Sequence, residues 1–302
     1  MIPTKPTFQP ITLGDRAAFI EAAAILNRAS CECSFVNLFA WKDVYDHVFT
    51  RVDGRLLVVA RSVRSLLFPL GAWFPPAELE QIRQTVTDAI GLPLFWGDVP
   101  PDYVEAHGDE LKALYQVGSL ESEDDYLYRT GQLAAVKGNC HQNTRRLLRH
   151  FEREVTGSRL VPLDAAAAPA LLALARHLQQ EHPVAGADQE RMALTCALEH
   201  FSDLGLEGLQ LLDAQGRLMA FSLWSFVTPS VADVHFEKAI RDQAGTAQQI
   251  RIGVARTLLG RAEWMNLEQD VGSPGLRQAK RSYCPDLMLK RYLLNPHREG
   301  AG

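Results

Sequence analysis

Alternating stretches of helical and strand periodicity predict a mixed α/β (α+β) protein made of two similar modules. Three observations carry that prediction. The chain has 302 residues, long for one domain and comfortable for two at roughly 100–200 residues each. Its residues are 47% hydrophobic and 22% charged, enough to fill full cores and too apolar for disorder. The order helix, helix, hairpin, strand, helix, strand, helix occurs twice, with little residue identity between the two passages.

In the first passage, ITLGDRAAFIEAAAILNR reads as a helix with Thr12 or Asp15 near its cap. SFVNLFAWKDVYDHVF begins as a second helix. Its Asn37, Trp41 and Tyr45 recur every four residues, a stripe for the core or a module interface. A ligand role for Asn37 is the alternative, because a buried amide needs partners. VFTRVDGRLLVVAR is a hairpin turning at Asp53-Gly54. SLLFPLG is a strand, PAELEQIRQTVTDAI a helix ending at Gly91, LPLFWGDV a strand and DYVEAHGDELKALY a helix. KGNCHQNTRRLLRHFEREV is a basic helix linking the halves. The second passage runs through helices DAAAAPALLALARHLQQEH and DQERMALTCALEHFSDLG. A hairpin turning at Asp213 to Gly216 and the strand SVADVHFEKAI follow. The helix GTAQQIRIGVARTLLGRA, the strand AEWMNLEQ and the helix SPGLRQAKRSY complete it. The expected organisation is a module over 1–135, a linking helix over 136–155 and a second module over 156–302.

Several classes are excluded. A net charge of -5 argues against general coating of nucleic acid or anionic membrane, while leaving room for a local basic face. Cys31, Cys33, Cys140, Cys196 and Cys284 are odd in number and scattered, without a second pair at zinc spacing, as in a reduced intracellular protein. MIPTKPTFQP lacks the apolar core of a signal peptide. No run of about 18 apolar residues is present to span a bilayer. The expected location is cytoplasmic or peripheral to a membrane. No metal is expected, since no His/Asp/Glu cluster has ligand spacing, and His235 reads as a core or edge histidine. G-x-S-x-G does not occur, so no serine nucleophile elbow is present.

Chemistry concentrates in NLEQDVGSPGLRQAKRSYCPDLML, residues 266–289. Glu268 and Asp270 close a strand, where a carboxylate can act as a general base, bind an ammonium group or cap the next helix. Ser273 before Pro274 is an N-cap and N1 pair. Arg277 and Lys280 share a helix face and either bind phosphate or pair with Glu268 or Asp270. Tyr283 is either a packing residue with its hydroxyl toward solvent or a group that positions a donor. In VADVHFEKA, strand alternation puts His235 and Glu237 on one face and Lys238 on the other. Arg145, Arg149 and Arg153 recur every four residues on the linking helix, beside Lys137 and Arg146. That stripe either tracks an RNA backbone or anionic lipid, or is a solvated face.

HFEKA (235–239), Gln248 and NLEQDVGSPGLRQAKRSYCP (266–285) resemble the closing half of a bacterial family of domains of unknown function. ITLGDRAAFIEA and SFVNLFAWKDVY resemble its opening segment. That family shares its fold with the C-terminal domain of phosphatidylglycerol lysyltransferase. The resemblance spans nearly the whole chain, with a specific end motif and little specificity over about 155–205. It implies two tandem GNAT-like (acyl-CoA N-acyltransferase-type) modules, each a mixed splayed sheet flanked by helices, distantly Fem-like. It places a donor at the gap in the second sheet, before a helix starting near Gly245-Thr246-Ala247. Simple GNAT members carry two closely spaced glycines there; RDQAGTAQQIRIG has Gly245 alone.

The implied activity moves an amino acid from aminoacyl-tRNA to a lipid, peptide or small amine or hydroxyl acceptor by direct transfer, with no cofactor required. Glu268, Asp270 and Tyr283 are then the catalytic candidates. Glu237, Lys238, Gln248, Asn266, Arg277 and Lys280 are the substrate contacts. Gly245, Thr246, Arg145 and Arg149 are the phosphate or RNA contacts. A non-catalytic tRNA- or anion-binding module and an acyl-CoA-dependent N-acyltransferase are the alternatives. One site is expected, in the second module.

Overall fold

Residues 6–297 are described by a computed structural model, so Met1–Lys5 of the polar N-terminal stretch lie outside it. The chain divides into two units, one running to Asp124 and resuming at Leu289, the other spanning Asp125–Met288. The first contains β1 (Gln9–Pro10), α1 (Arg16–Leu26), α2 (Phe35–Ala40), α3 (Lys42–Tyr45) and the hairpin β2 (His47–Val52) and β3 (Arg55–Ala60). Asp53 and Gly54 both take positive φ, 45° and 77°, the backbone that a two-residue hairpin turn with the right twist requires. β4 (Ser65–Leu67), α4 (Pro76–Ile90), β5 (Phe95–Val99), α5 (Pro101–Leu114) and β6 (Tyr115–Gly118) follow. Pro76 and Pro101 open their helices where a missing N–H costs nothing. Gly91 closes α4 in the left-handed region. Trp96, Leu79, Ile82 and Tyr103 are buried at the centre of this unit's core.

The second unit contains β7 (Asp125–Arg129), α6 (Thr130–Ala135), α7 (Gln142–Glu154), β8 (Arg159–Pro162), α8 (Ala168–Glu181) and α9 (Ala187–Glu199). The hairpin β9 (Glu207–Leu212) and β10 (Leu218–Thr228) leads to β11 (Val231–Ala239), α10 (Thr246–Thr257), β12 (Trp264–Asn266), α11 (Pro274–Arg281) and β13 (Leu287–Leu289). The basic helix α7 belongs to this unit: Leu148 and Phe151 join a core that also holds Ile250 and Val254 of α10 and Ala232 and Val234 of β11. The last strand, β14 (Tyr292–Pro296), returns to the first unit.

Among the described residues each unit has a seven-stranded sheet, ordered β1-β2-β3-β4-β5-β14-β6 and β8-β9-β10-β11-β12-β7-β13. The two orders match position for position, with a parallel pair at the same place in each, β4 with β5 and β11 with β12. The sixth place is filled by exchange. β7 comes from the chain just after the first module, and β14 comes back from the end of the second. The sequence expectation grouped residues 125–129 with the first module and 289–302 with the second; hydrogen bonding pairs β7 with β12 and β14 with β5 and β6. The expected fold class, tandem GNAT-like modules with mixed sheets flanked by helices, is the one observed. No described helix is long and apolar enough to cross a membrane.

Leu294 of β14 is fully buried and lies opposite Trp96 and Val117 on the flanking strands. Leu294→Ala is therefore expected to cost about 2–5 kcal/mol, read as a lower urea midpoint at unchanged slope. A variant as stable as the parent would show that the returning strand is not integral to the first unit.

Candidate functional site

β11 and β12 pair only at Val231↔Trp264, Ala232↔Met265 and Asp233↔Asn266. Beyond Asp233, β11 continues to Ala239 while β12 ends at Asn266, and the two part. A bulge sits at the same level. β10 steps from Leu223 to Trp224 while β11 steps from Phe236 to Val234, leaving His235 as the extra residue. A bulge resets the alternation of a strand. Ala232 and Val234 lie in the core under α10, and so, beyond the bulge, does Ala239. Glu237 bonds Arg251 of α10 on that side, whereas His235 turns the other way, toward Asp233 and Glu268. The expectation that His235 and Glu237 share a face is overturned by this extra residue. Lys238 does oppose Glu237: its ammonium is bound by both carboxylate oxygens of Glu190 in α9, at 2.7 Å each. It is held in a surface ion pair away from the gap.

On the α10 side the parting opens a cavity of about 570 Å³, lined among others by Glu237, Arg241, Gly245, Gln248, Arg251 and Ala279. Glu237 Oε1 accepts from Arg251 Nη2 at 2.7 Å and Nε at 3.1 Å, and its Oε2 is buried without a hydrogen bond. Arg251 lies over the Tyr283 ring, 4.4 Å from its centroid. Burial opposes the Arg251 charge, but the adjacent Glu237 outweighs it and lifts the guanidinium above its usual range. Burial likewise raises the Tyr283 phenol, partly countered by Arg251 and by the nearby Gln248 side chain. Tyr283 is only 2% exposed, so its hydroxyl does not reach bulk solvent.

Gly245 has a structural reason to be glycine. Its φ is 95°, and a Cβ there would clash with the Leu147 carbonyl oxygen and lie 2.8 Å from Phe151 Cβ. It is the point where the start of α10 touches α7. Thr246 is fully buried and donates its hydroxyl to the Gln243 carbonyl at 2.8 Å. Arg145 donates to the Val136 and Gly138 carbonyls at 2.8 and 2.7 Å, closing the end of α6, while Arg149 is exposed.

On the other side of the sheet, Asp233, Asn266 and Asp125 are fully buried and His235 nearly so. Asn266 Nδ2 donates to Asp125 Oδ2 at 2.8 Å, and Asn266 Oδ1 accepts the Glu268 N–H at 2.7 Å. That acceptance holds Glu268 in the left-handed region, at φ 57°. Its carboxylate Oε1 then lies 3.2 Å from His235 Nδ1, with Asp233 Oδ2 at 3.5 Å from the same nitrogen. His235 Nε2 is 2.8 Å from Ser225 Oγ.

Asp270 does a different job. It is fully buried, and it accepts from Arg277 at 2.7 and 3.0 Å, the Tyr126 hydroxyl at 2.7 Å and the Gly272 N–H at 2.9 Å. Burial raises its pKa, but these donors prevail and hold it at about 2. A carboxylate that acidic and that fully bonded pins the loop and is a poor base at neutral pH. Of the alternatives weighed for Arg277, the ion pair with Asp270 is the one present. Lys280, 6% exposed, donates to the Glu268 carbonyl at 3.1 Å and to the Gln269 carbonyl. Ser273 caps α11 as expected, accepting from the Leu276 N–H at 3.4 Å.

Of the sequence candidates, Glu237, Gly245, Thr246 and Gln248 line the cavity with Tyr283 packed against Arg251 behind it, Asn266 and Glu268 lie by His235 on the opposite face, and Lys238, Asp270, Arg277, Lys280, Arg145 and Arg149 join neither group. Sequence reasoning missed Asp125, Ser225, Asp233 and Arg251. Arg251 carried a signal, a charge at a buried position of the IRIGVA stretch. The other three had none, because their proximity depends on strand register.

The doubled sheet order and the parted parallel strands define the class, a tandem GNAT-like fold of the kind found in acyl transferases. The description of the phosphatidylglycerol lysyltransferase C-terminal family matches residues 23–295, and the chain belongs to that family. A conserved protein of unknown function from Bacteroides thetaiotaomicron VPI-5482 superposes with a TM-score of 0.88 at 26% identity, covering 98% of this chain and 100% of its own. L-PGS from Bacillus licheniformis superposes at 0.66 with 12% identity, over 97% and 94% of the two chains. FemX superposes at 0.62 with 10% identity, over 96% and 97%. The last two are likenesses of fold. No protein of curated function matches the chain.

Because the Asp270 pKa is depressed from 3.8 to about 2 on folding, its contribution is fully present above the unfolded value and is lost as pH falls through the folded one. Asp270→Asn is expected to cost about 1–3 kcal/mol at neutral pH. The gap to the parent should close between about pH 4 and pH 2, measured by denaturant titration across that range. Gly245→Ala should lower stability by about 1–3 kcal/mol in thermal melts, since neither the Leu147 carbonyl nor the backbone beside it can yield cheaply.

Proposed function

We propose that the chain is an aminoacyl transferase, taking an amino acid from aminoacyl-tRNA and passing it directly to an amine or hydroxyl acceptor. The observation that carries this reading is the Glu237 carboxylate. It lines the cavity with one oxygen held by Arg251 and the other buried and unbonded. A buried acceptor left unsatisfied costs about 1–3 kcal/mol, and an α-ammonium group would satisfy it. An aminoacyl ester brings such a cation next to the reacting carbonyl; a simple acyl-CoA does not. The lysyltransferase family and the fold of FemX support the same donor class.

The transfer needs no covalent enzyme intermediate. The acceptor nitrogen or oxygen attacks the ester carbonyl and forms the new acyl bond. The bond from that carbonyl to the ribose oxygen breaks, its electron pair stays on that oxygen, and the proton lost by the acceptor ends there. Glu268, part-exposed beside His235, is placed to take the acceptor proton. The free edge of β11 offers N–H groups to the oxyanion. Gln248 orients the donor, Tyr283 backs the site through its contact with Arg251, and Arg241 at the cavity with the exposed Arg149 of α7 meets its phosphates. The acceptor is a lipid head group, a peptide or a small amine.

An acyl-CoA donor fits less well. The glycine at the head of α10 is used against α7, and the Glu237 carboxylate would face an uncharged acyl group.

Filter binding with charged and uncharged tRNA, with excess coenzyme A as competitor, tests the donor. Binding should prefer the charged form, ignore coenzyme A and weaken steeply with salt. Glu237→Gln should remove most of the preference for charged tRNA, roughly tenfold or more, by losing a charge-assisted bond of about 1.4 kcal/mol or greater. No tRNA binding at low salt would sink the proposal, and capture by coenzyme A would replace it with the acyl-CoA reading.

A further inference from the structure

We propose that Asp233, His235 and Glu268 form a binding site for a divalent transition-metal ion. One ligand atom from each, His235 Nδ1 and one oxygen of each carboxylate, lies within 4.8 Å of the others. His235 Nδ1 is 3.2 Å from Glu268 Oε1 and 3.5 Å from Asp233 Oδ2. The Glu268 contact is a hydrogen bond at the long end of the range of about 2.7–3.2 Å, and the Asp233 contact lies beyond that range. Both are also the length of an edge of a coordination polyhedron. An ion about 2.0–2.2 Å from each ligand sets neighbouring ligands roughly 2.9–3.6 Å apart.

The charge arrangement points the same way. Two carboxylates converge on one imidazole nitrogen, which can carry one proton and direct it at one of them. A cation shared by all three has no such limit. A third carboxylate, Asp125, is fully buried just behind, linked through Asn266. Lys280 donates to the carbonyls of Glu268 and Gln269, and Arg277 to Asp270.

The ligands are also oriented from outside, as metal ligands usually are. Ser225 Oγ sits 2.8 Å from His235 Nε2 and turns Nδ1 toward the carboxylates. Asn266 takes the Glu268 N–H at 2.7 Å and fixes the backbone that aims its side chain. Asp233 and His235 are sealed at 0% and 1% side-chain exposure, while Glu268 is 18% exposed, so an ion would have one open side. Three protein ligands with an open position is the pattern of sites that bind water or substrate. The mixed nitrogen and oxygen donors suit zinc or manganese. Strand alternation puts Asp233 and His235 on one face, and Glu268 joins them only because β12 lies beside β11, which the linear spacing does not announce.

The test uses the full chain, stripped with a chelator and reloaded with Zn²⁺ or Co²⁺ alone. One ion per chain is expected by elemental analysis, with visible Co²⁺ bands of low coordination number. His235→Ala and Glu268→Gln should each weaken Zn²⁺ binding by at least tenfold in a competition titration. Ser225→Ala, which keeps all three ligands, should weaken it by roughly tenfold through loss of orientation. Cys140→Ser with Cys284→Ser should leave binding unchanged, separating this site from the thiols. No ion retained after reloading, or equal affinity in the parent and Glu268→Gln, overturns the proposal. If His235→Ala does not fold, Glu268→Gln and Ser225→Ala decide. The readout involves no tRNA, so failure of the aminoacyl-donor reading leaves the metal isotherm intact, and loss of the isotherm leaves the tRNA result standing.

Discussion

The brevity of one strand pairing governs this molecule. β11 and β12 share three residue pairs and then separate. Two parted strands leave backbone donors and acceptors that a longer ladder would have used, and buried groups of that kind must find partners. The chain supplies several of them locally. The Glu268 N–H goes to Asn266, and its carbonyl accepts from the Tyr126 N–H and from Lys280. Asp270 gathers Arg277, Tyr126 and Gly272 around the same loop. The polar density of residues 266–283 is therefore largely the cost of holding two strands apart, and only what remains is free for chemistry.

What remains is divided by the bulge at His235. Three acids within a few residues of the gap end in three environments. Asp270 is bonded on both oxygens and held at about 2. Glu237 shares one oxygen with Arg251 and turns toward the cavity. Glu268 faces an imidazole on the opposite side, part-exposed. Without the extra residue, strict alternation would keep His235 and Glu237 on one face. Backbone irregularity at this point separates the cavity on one face from the imidazole and carboxylates on the other.

Much of the fold was legible because its signals are local. Asp53-Gly54, Pro76, Gly91 and the Ser273-Pro274 cap each announce an element through a requirement of backbone geometry, and the helices announce themselves through periodicity. The strands β1, β6, β7, β8, β13 and β14 escaped detection. They have two to five residues each, and the exchange of β7 and β14 follows from long-range pairing that no window of sequence contains. The same limit applies to the site. Glu237, Asn266 and Glu268 stood out by composition, but Asp125 arrives on an unforeseen strand, and Asp233 becomes relevant only once β12 lies beside β11. Gly245 shows how one signal can have two sources. A glycine before a helix suggested phosphate, and its neighbours give it a packing reason as well, since it admits α7.

The first unit shows why topology alone does not make a site. Its parallel pair is as short as that of the second, Ser65↔Phe95 to Leu67↔Gly97, and Asp98 follows immediately at φ 55°. There the chain fills the end of the pair with charge. Asp98 binds Arg28 at 2.7 Å and Ser30 at 2.8 Å and approaches Arg291 at 3.7 Å, while Arg291 pairs with Glu32 at 3.2 Å. Arg28, Asp98 and Arg291 are all under a tenth exposed. Breaking such a buried cluster by removing one partner is strongly unfavourable, about 3–5 kcal/mol, so it resists opening to a ligand. The corresponding level of the second unit keeps a cavity on one face and an imidazole between two carboxylates on the other. Two sheets of the same order have thus been finished differently, one closed by internal ion pairs and one left with groups to offer.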